Sequence, residues 1–217
     1  IYYKGAWVNH MLRHTVGDLI YFEALRDYLD IYSGGNVVTE DLEDVMESHY
    51  GSDLNWYFDQ WIYGNGHPKY EFLWAGSSSK VKLGISQQTT GSYPILFTMP
   101  LDVRLQDIDG NEEIQMVWIN QEHANFLLTT SFQPISLALD PNGWVLGEYS
   151  GSEIGLLGDI NSDNIVNILD IIATVNYILS QTELTEVQLF LMDVDCDDSI
   201  TIMDIIQIVN IILNDTV

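Results

Sequence analysis

The sequence predicts a multidomain α+β chain in three parts. These are a helical segment over 1–68, an antiparallel β-sandwich over 69–149 and, after a short polar linker at 150–156, an all-α module of paired loop–helix repeats over 157–217. Three observations predict it. Apolar residues recur at helical spacing as far as Trp61. From Tyr70 onward they alternate with polar or small residues, the period of a half-buried strand. Near the C-terminus an acidic loop occurs twice, its first residues Asp159 and Asp193 standing 34 positions apart, and each copy runs into an apolar helix.

In the first part, Gly5–Val16 and Asp18–Tyr32 read as helices, and Gly34-Gly35 closes the second. Thr39 is placed to cap a third helix, with carboxylates in its first turn, reaching Tyr50. Ser52-Asp-Leu-Asn-Trp opens a fourth that passes through Phe58 and Trp61. Gly64-Asn-Gly-His-Pro68 then stops helix formation. In the second part, Tyr70–Trp74, Val81–Ile85, Leu101–Leu105 and Ile135–Leu139 alternate as strands. Thr90-Gly-Ser, Asp109-Gly-Asn and Asp140-Pro-Asn-Gly143 supply turns between them, and about seven strands at this spacing imply a sandwich.

Composition narrows the function. Seven Lys and Arg face 32 Asp and Glu, a net charge of −25, which argues against nucleic acid and anionic membrane as partners and suits a chain that recruits cations. Hydrophobic residues make up 47%, enough for a folded core despite the acidity. No apolar run approaches the roughly 18–20 residues of a membrane span. The single cysteine, Cys196, excludes an internal disulfide. The chain opens on Ile1 inside what reads as a continuing domain, so it is expected to be the C-terminal piece of a longer protein.

The repeated loops carry the clearest chemistry. The first runs Asp159-Ile-Asn161-Ser-Asp163-Asn-Ile165-Val-Asn167-Ile-Leu-Asp170 and the second Asp193-Val-Asp195-Cys-Asp197-Asp-Ser199-Ile-Thr201-Ile-Met-Asp204. Oxygen side chains at positions 1, 3, 5, 9 and 12, with the backbone carbonyl of position 7 (Ile165 or Ser199), are what a calcium ion takes. Mg²⁺ keeps its waters and tight octahedral geometry, so it suits the loops less. Among its ligands loop 1 brings three carboxylates and loop 2 four. Carboxylates gathered so closely repel without a cation, so ion binding is expected to be coupled to folding, and a chelator is expected to unfold 157–214.

The pattern is EF-hand-like and departs from the EF-hand in three ways. Position 12 is Asp, position 6 is Asn164 or Asp198 in place of Gly, and no clear helix enters loop 1. A loop followed by its exiting helix, twice, with Asp closing the loop, resembles the type I dockerin domain. Thr185-Glu-Val-Gln-Leu resembles that family's inter-repeat helix. The resemblance implies two Ca²⁺ sites and a cohesin-like domain of a scaffold or surface protein as partner, hence a secreted or cell-surface setting. It assigns partner contact to positions 10 and 11 and the following helix: Ile168, Leu169, Val175 and Asn176 in the first repeat, Ile202, Met203, Val209 and Asn210 in the second. Family members often carry Ser-Thr at 10 and 11. The bland alternative is that these apolar residues pack the two helices together.

Tyr2-Tyr3-Lys4-Gly5-Ala6 resembles the Tyr-x-Lys-Gly-Ala segment of the M1 zinc aminopeptidases. Phe58-Asp-Gln-Trp61 with Gly66-His-Pro68 resembles that family's ending of the catalytic domain, and the strands closing on Leu139-Asp-Pro-Asn-Gly-Trp144-Val its third domain. The resemblance implies a parent that hydrolyses N-terminal peptide bonds with a zinc-activated water, the Zn²⁺ lying outside this span on an upstream HExxH helix. It aligns Tyr2 with the tyrosine that donates to the tetrahedral oxyanion; by itself Tyr2 reads as an aromatic at a helix entrance. His10 and His14 have the i, i+4 spacing of a zinc helix but lack the intervening glutamate, so they read as ordinary histidines. The span is therefore expected to be inactive alone. The rival reading is a non-catalytic binding module with a calcium-stabilised anchor and no cohesin partner, with Tyr70, Phe72 and Trp74 as a ligand platform.

Overall fold

The computed structural model describes residues 2–180 and 183–214; of Tyr2 and Asn214 it describes the backbone alone. Helices α1 (Tyr2–Val16), α2 (Asp18–Tyr32), α3 (Thr39–Tyr50) and α4 (Asn55–Phe58) come first, and α4 runs on into a π-helical turn, Asp59–Tyr63. Gly17 separates α1 from α2 at a positive φ of 87°, which glycine adopts without strain. Arg13 pairs with Asp18 across that break at 2.7 Å. The N-terminus of α3 is held differently from expectation. Thr39 lies inside the helix, and the Asp41 carboxylate accepts from the Val38 N–H at 2.8 Å.

Among the described residues seven strands follow: β1 (Pro68–Gly76), β2 (Lys80–Thr89), β3 (Met99–Gln106), β4 (Glu112–Ile119), β5 (His123–Thr129), β6 (Ser136–Leu139) and β7 (Glu148–Leu156). They form a four-stranded sheet in the order β5-β2-β1-β7 and a three-stranded sheet in the order β4-β3-β6. The expectation of a purely antiparallel arrangement is corrected here, because β7 pairs parallel with β1. The expected linker at 150–156 is corrected with it: those residues are most of β7. Glycine at 151 answers a steric demand. A Cβ on Gly151 would lie 2.5 Å from the Phe72 ring of β1.

One core joins the helices to both sheets. Met11, Leu12, Tyr57 and Trp61 from the helices share it with Tyr70, Leu83, Leu101, Val103 and Ile119 from the strands. Trp61 packs at a tilt against Phe97 with centroids 4.4 Å apart, and the Tyr57 hydroxyl donates to the Val8 carbonyl. Trp144, just past β6, lies nearly parallel to both His10 and His14, at 4.5 and 5.0 Å. The two histidines are thus packing partners of one indole.

The third part contains α5 (Ile168–Ile178), α6 (Glu186–Met192) and α7 (Ile202–Asn214). Thr185 caps α6, its hydroxyl accepting from the Gln188 N–H. A second core of Leu157, Ile160, Leu191, Met192, Val194, Ile208 and Ile211 holds the helices together. Ala75 of β1 belongs to it and Leu127 of β5 packs against it. The module therefore lies on the face of the four-stranded sheet turned away from the first core. Among the described residues no helix is long and apolar enough to cross a membrane.

Candidate metal centre

Each acidic loop starts in one element and ends inside another. Loop 1 follows β7, which answers the question of what enters it: a strand. Its last three residues are the first turn of α5, so Asp170 sits at the third helical position. Loop 2 starts at the end of α6 and closes on Asp204 in the first turn of α7. A carboxylate there faces unpaired N–H groups and the positive end of the helix dipole.

The closing aspartates organise both loops in the same way. Asp170 is fully buried; one of its oxygens accepts from Ile160 N at 2.8 Å and Asn161 N at 3.1 Å, the other from Asn167 N at 2.9 Å. Asp204, also fully buried, accepts from Val194 N at 2.8 Å, Asp195 N at 3.4 Å and Thr201 N at 2.8 Å. Positions 4 and 6 are left-handed in both copies: Ser162 and Asn164 at φ 60° and 66°, Cys196 and Asp198 at 60° and 63°. Such backbone is uncommon outside glycine, and finding it twice in register shows one loop geometry used twice.

The side chains at the head of each loop turn inward. Asp159 accepts from Asp163 N and Asn164 N, and Asn161 Oδ1 also accepts from Asp163 N, at 2.9 Å. In loop 2 the carboxylate oxygens of Asp193, Asp195 and Asp197 come within 4.8 Å of one another. Asp195 Oδ1 is buried with no hydrogen-bond partner. Burial first, then the charges of Asp204, Asp197 and Asp193, push the Asp195 carboxyl above its usual range. Crowded carboxylates and an orphaned buried oxygen fit a hard cation with oxygen ligands. Without an ion, burial pushes the Cys196 thiol up to about 11.

Loop 2 also touches the sheet. Lys82 of β2, 1% exposed, places its ammonium 2.7 Å from Asp193 Oδ2 and donates to the Asp193 carbonyl. Asn125 of β5 donates to Asp198 Oδ1 at 2.9 Å. Lys82 and Asn125 were not singled out from sequence. In an alternating strand, Lys82 between Val81 and Leu83 reads as a solvated position.

The positions expected to meet a partner lie on the surface. Ile168 is 66% exposed and Ile202 67%, while Leu169, Val175, Met203 and Asn210 are exposed and Asn176 and Val209 half-buried. The packing alternative therefore fails at positions 10 and 11 of both loops. Tyr2 opens α1, and its side chain lies outside the described residues. Among the described residues, His10 and His14 join no cluster of metal-ligating side chains.

Residues 1–61 match the sequence model of the peptidase family M1 domain, and residues 157–215 that of the dockerin type I domain. The chain thus joins a segment matching the M1 peptidase domain to one matching the type I dockerin domain. Aminopeptidase N of Lactococcus lactis subsp. lactis is 31% identical over 68 residues, which is 31% of this chain and 8% of the relative. Probable aminopeptidase 1 of Sulfurisphaera tokodaii is 23% identical over 171 residues, 73% of this chain and 21% of the relative. The crystal structure of Legionella pneumophila aminopeptidase A in complex with aspartic acid superposes with a TM-score of 0.57 at 17% identity. That match covers 98% of this chain and 29% of the other, and is a likeness of fold. The chain thus spans less than a third of each of these proteins.

Proposed function

We propose that this chain is the C-terminal part of a secreted zinc aminopeptidase, and that its dockerin segment binds two calcium ions and anchors the enzyme to a cohesin-bearing scaffold or cell surface. The observation that carries the reading is the presence of both segments in one chain, a peptidase match at 1–61 and a dockerin match at 157–215. Within this division, 1–68 completes the catalytic domain, the two sheets form a sandwich, and 157–217 is the anchor.

Calcium site 1 would use Asp159, Asn161, Asp163, the Ile165 carbonyl, Asn167 and Asp170. Site 2 would use Asp193, Asp195, Asp197, the Ser199 carbonyl, Thr201 and Asp204. The bound ions supply the positive charge that lets these carboxylates lie together. The chain's own contribution is the backbone cage around Asp170 and Asp204, which fixes both loops against their helices. Cohesin contact would fall on the exposed apolar residues Ile168, Leu169, Ile202 and Met203, flanked by Val175, Asn176, Val209 and Asn210. In the parent, zinc would supply the activated water, and the Tyr2 phenol would donate a hydrogen bond to the oxyanion of the peptide substrate as charge develops. The zinc ligands fall upstream, so this span alone would not turn over peptide.

The test uses the full-length parent and immobilised type I cohesin. Aminopeptidase activity retained on the support in calcium and eluted by chelator is the expected result. Activity that passes through equally in calcium and in chelator would overturn the anchoring role. Hydrolysis of an aminoacyl reporter by the isolated span would overturn the division of labour.

A further inference from the structure

The two loops share a backbone geometry but differ in how their charge is balanced. In loop 1, Asp159 receives backbone N–H groups on both oxygens: Asp163 N on Oδ1 and Asn164 N on Oδ2. In loop 2, Asp197 N still reaches Asp193 Oδ1, but the partner of Oδ2 is the ammonium of Lys82 at 2.7 Å. The side chain of Asp198, at the position equivalent to Asn164, turns outward to Asn125. Among the described residues, no Lys or Arg pairs with a carboxylate of the first loop.

Lys82 is held from every side. It is almost wholly buried, donates to the Asp193 carbonyl as well as its carboxylate, and lies 4.7 Å above the Phe190 ring. Phe190, from α6, covers Gly84 of β2 so closely that a Cβ there would come within 2.8 Å of the ring. Lys80, two residues earlier, donates to Gln207 of α7 at 2.7 Å. A buried ammonium cannot be left without its counter-ion at small cost, so the ion pair and the docking of α6 on the sheet stand together. The excess charge falls where the lysine is, since loop 2 holds five carboxylates and loop 1 three.

We propose that Lys82 is the built-in counter-cation of the second loop. It is a positioning residue that keeps the second repeat docked on the four-stranded sheet when calcium is withdrawn, while the first repeat, which has calcium alone to balance it, opens. The module is then a sheet-mounted repeat plus a calcium-gated repeat, and chelation opens half of it. This rests on the calcium reading above.

Hydrogen exchange on the whole chain tests it, in saturating calcium and in chelator, for the wild type, Lys82→Met and Lys80→Met. Lys80→Met removes the same charge from the same strand without touching a carboxylate. In chelator the wild type should lose protection over 168–178 and keep it over 186–192 and 202–213. Lys82→Met should lose both, with second-repeat exchange about tenfold faster or more, and Lys80→Met should follow the wild type. Saturating calcium should bring the second repeat of Lys82→Met back to within about threefold of wild type, which a purely structural lysine would not allow. Protection of β3 reports that the sheets stay folded, and Lys82→Gln replaces Lys82→Met if β3 is lost. Equal loss of the second repeat in wild type and Lys82→Met, or a difference of the same size with and without calcium, overturns the role of Lys82. No response to calcium in any protein would instead overturn the calcium reading.

Discussion

Replacing Asp170 with Ala tests how far the first loop depends on its closing carboxylate. Three N–H groups lose their acceptor: Ile160 N at 2.8 Å, Asn161 N at 3.1 Å and Asn167 N at 2.9 Å. Hydrogen bonds to a charged acceptor contribute about 1.5–3 kcal/mol each when they cannot be replaced. Only Ile160 is buried; Asn161 is exposed and Asn167 half-buried, so water recovers much of what they lose. The Ile160 bond, a fraction of the other two and the charge at the N-terminus of α5 add to about 2–4 kcal/mol. That is roughly 30- to 900-fold faster exchange over 168–178 in calcium, where the wild-type first repeat is closed, before the lost ion is counted. The assay is hydrogen exchange of the calcium-loaded chain, and a calcium titration should lose one site. Protection within about threefold of wild type, with calcium uptake unchanged, would refute the reasoning, since the cage around Asp170 would then hold nothing.

Three further outcomes are expected. Ile168→Asp combined with Leu169→Asp should weaken cohesin capture at least tenfold if the first repeat faces the partner, with calcium uptake unchanged, because both side chains are exposed and neither supplies a ligand oxygen; surface binding kinetics read this. Gly84→Val should loosen the dockerin segment from the sheet without unfolding β3, since its side chain would meet the Phe190 ring and Asn125 Oδ1; limited proteolysis between the sheet and α6 reports it. His14 is held below its ordinary value of 6.5, first by burial and against the pull of Asp102 and Asp140. The unfolded chain therefore binds a proton more readily, and this contribution to stability is complete above pH 6.5 and falls as pH drops toward the lower folded value. Thermal midpoints between pH 7.5 and 5.5, at fixed calcium, should decline less in His14→Gln than in the wild type.

The helices and loops were largely legible in the sequence because local rules govern them. Periodic apolar residues between Gly17 and Gly51 set α2 and α3, and the acidic repeat marked where α5 and α7 begin, with Asp170 and Asp204 in their first turns. What was not legible depended on residues far away. Gly151 and its serine neighbours have the composition of a linker, yet they are strand residues, and Gly151 is small because Phe72 of β1 lies across it. Parallel pairing of β7 with β1 brings together the two ends of the strand region, and no local pattern records that. Lys82 occupies the polar half of an alternating strand and turns inward only because the dockerin segment covers that face. In each case a third element, absent from the local window, decided the environment.

Calcium binding by two matching loops underlies the whole account, and equilibrium calcium uptake by the purified chain measures it most directly. Wild type should take up two ions, Asp170→Ala and Asp204→Ala one each, with helical circular dichroism rising as the ions bind. A chain that takes up no calcium, or whose uptake is indifferent to both substitutions, would contradict it.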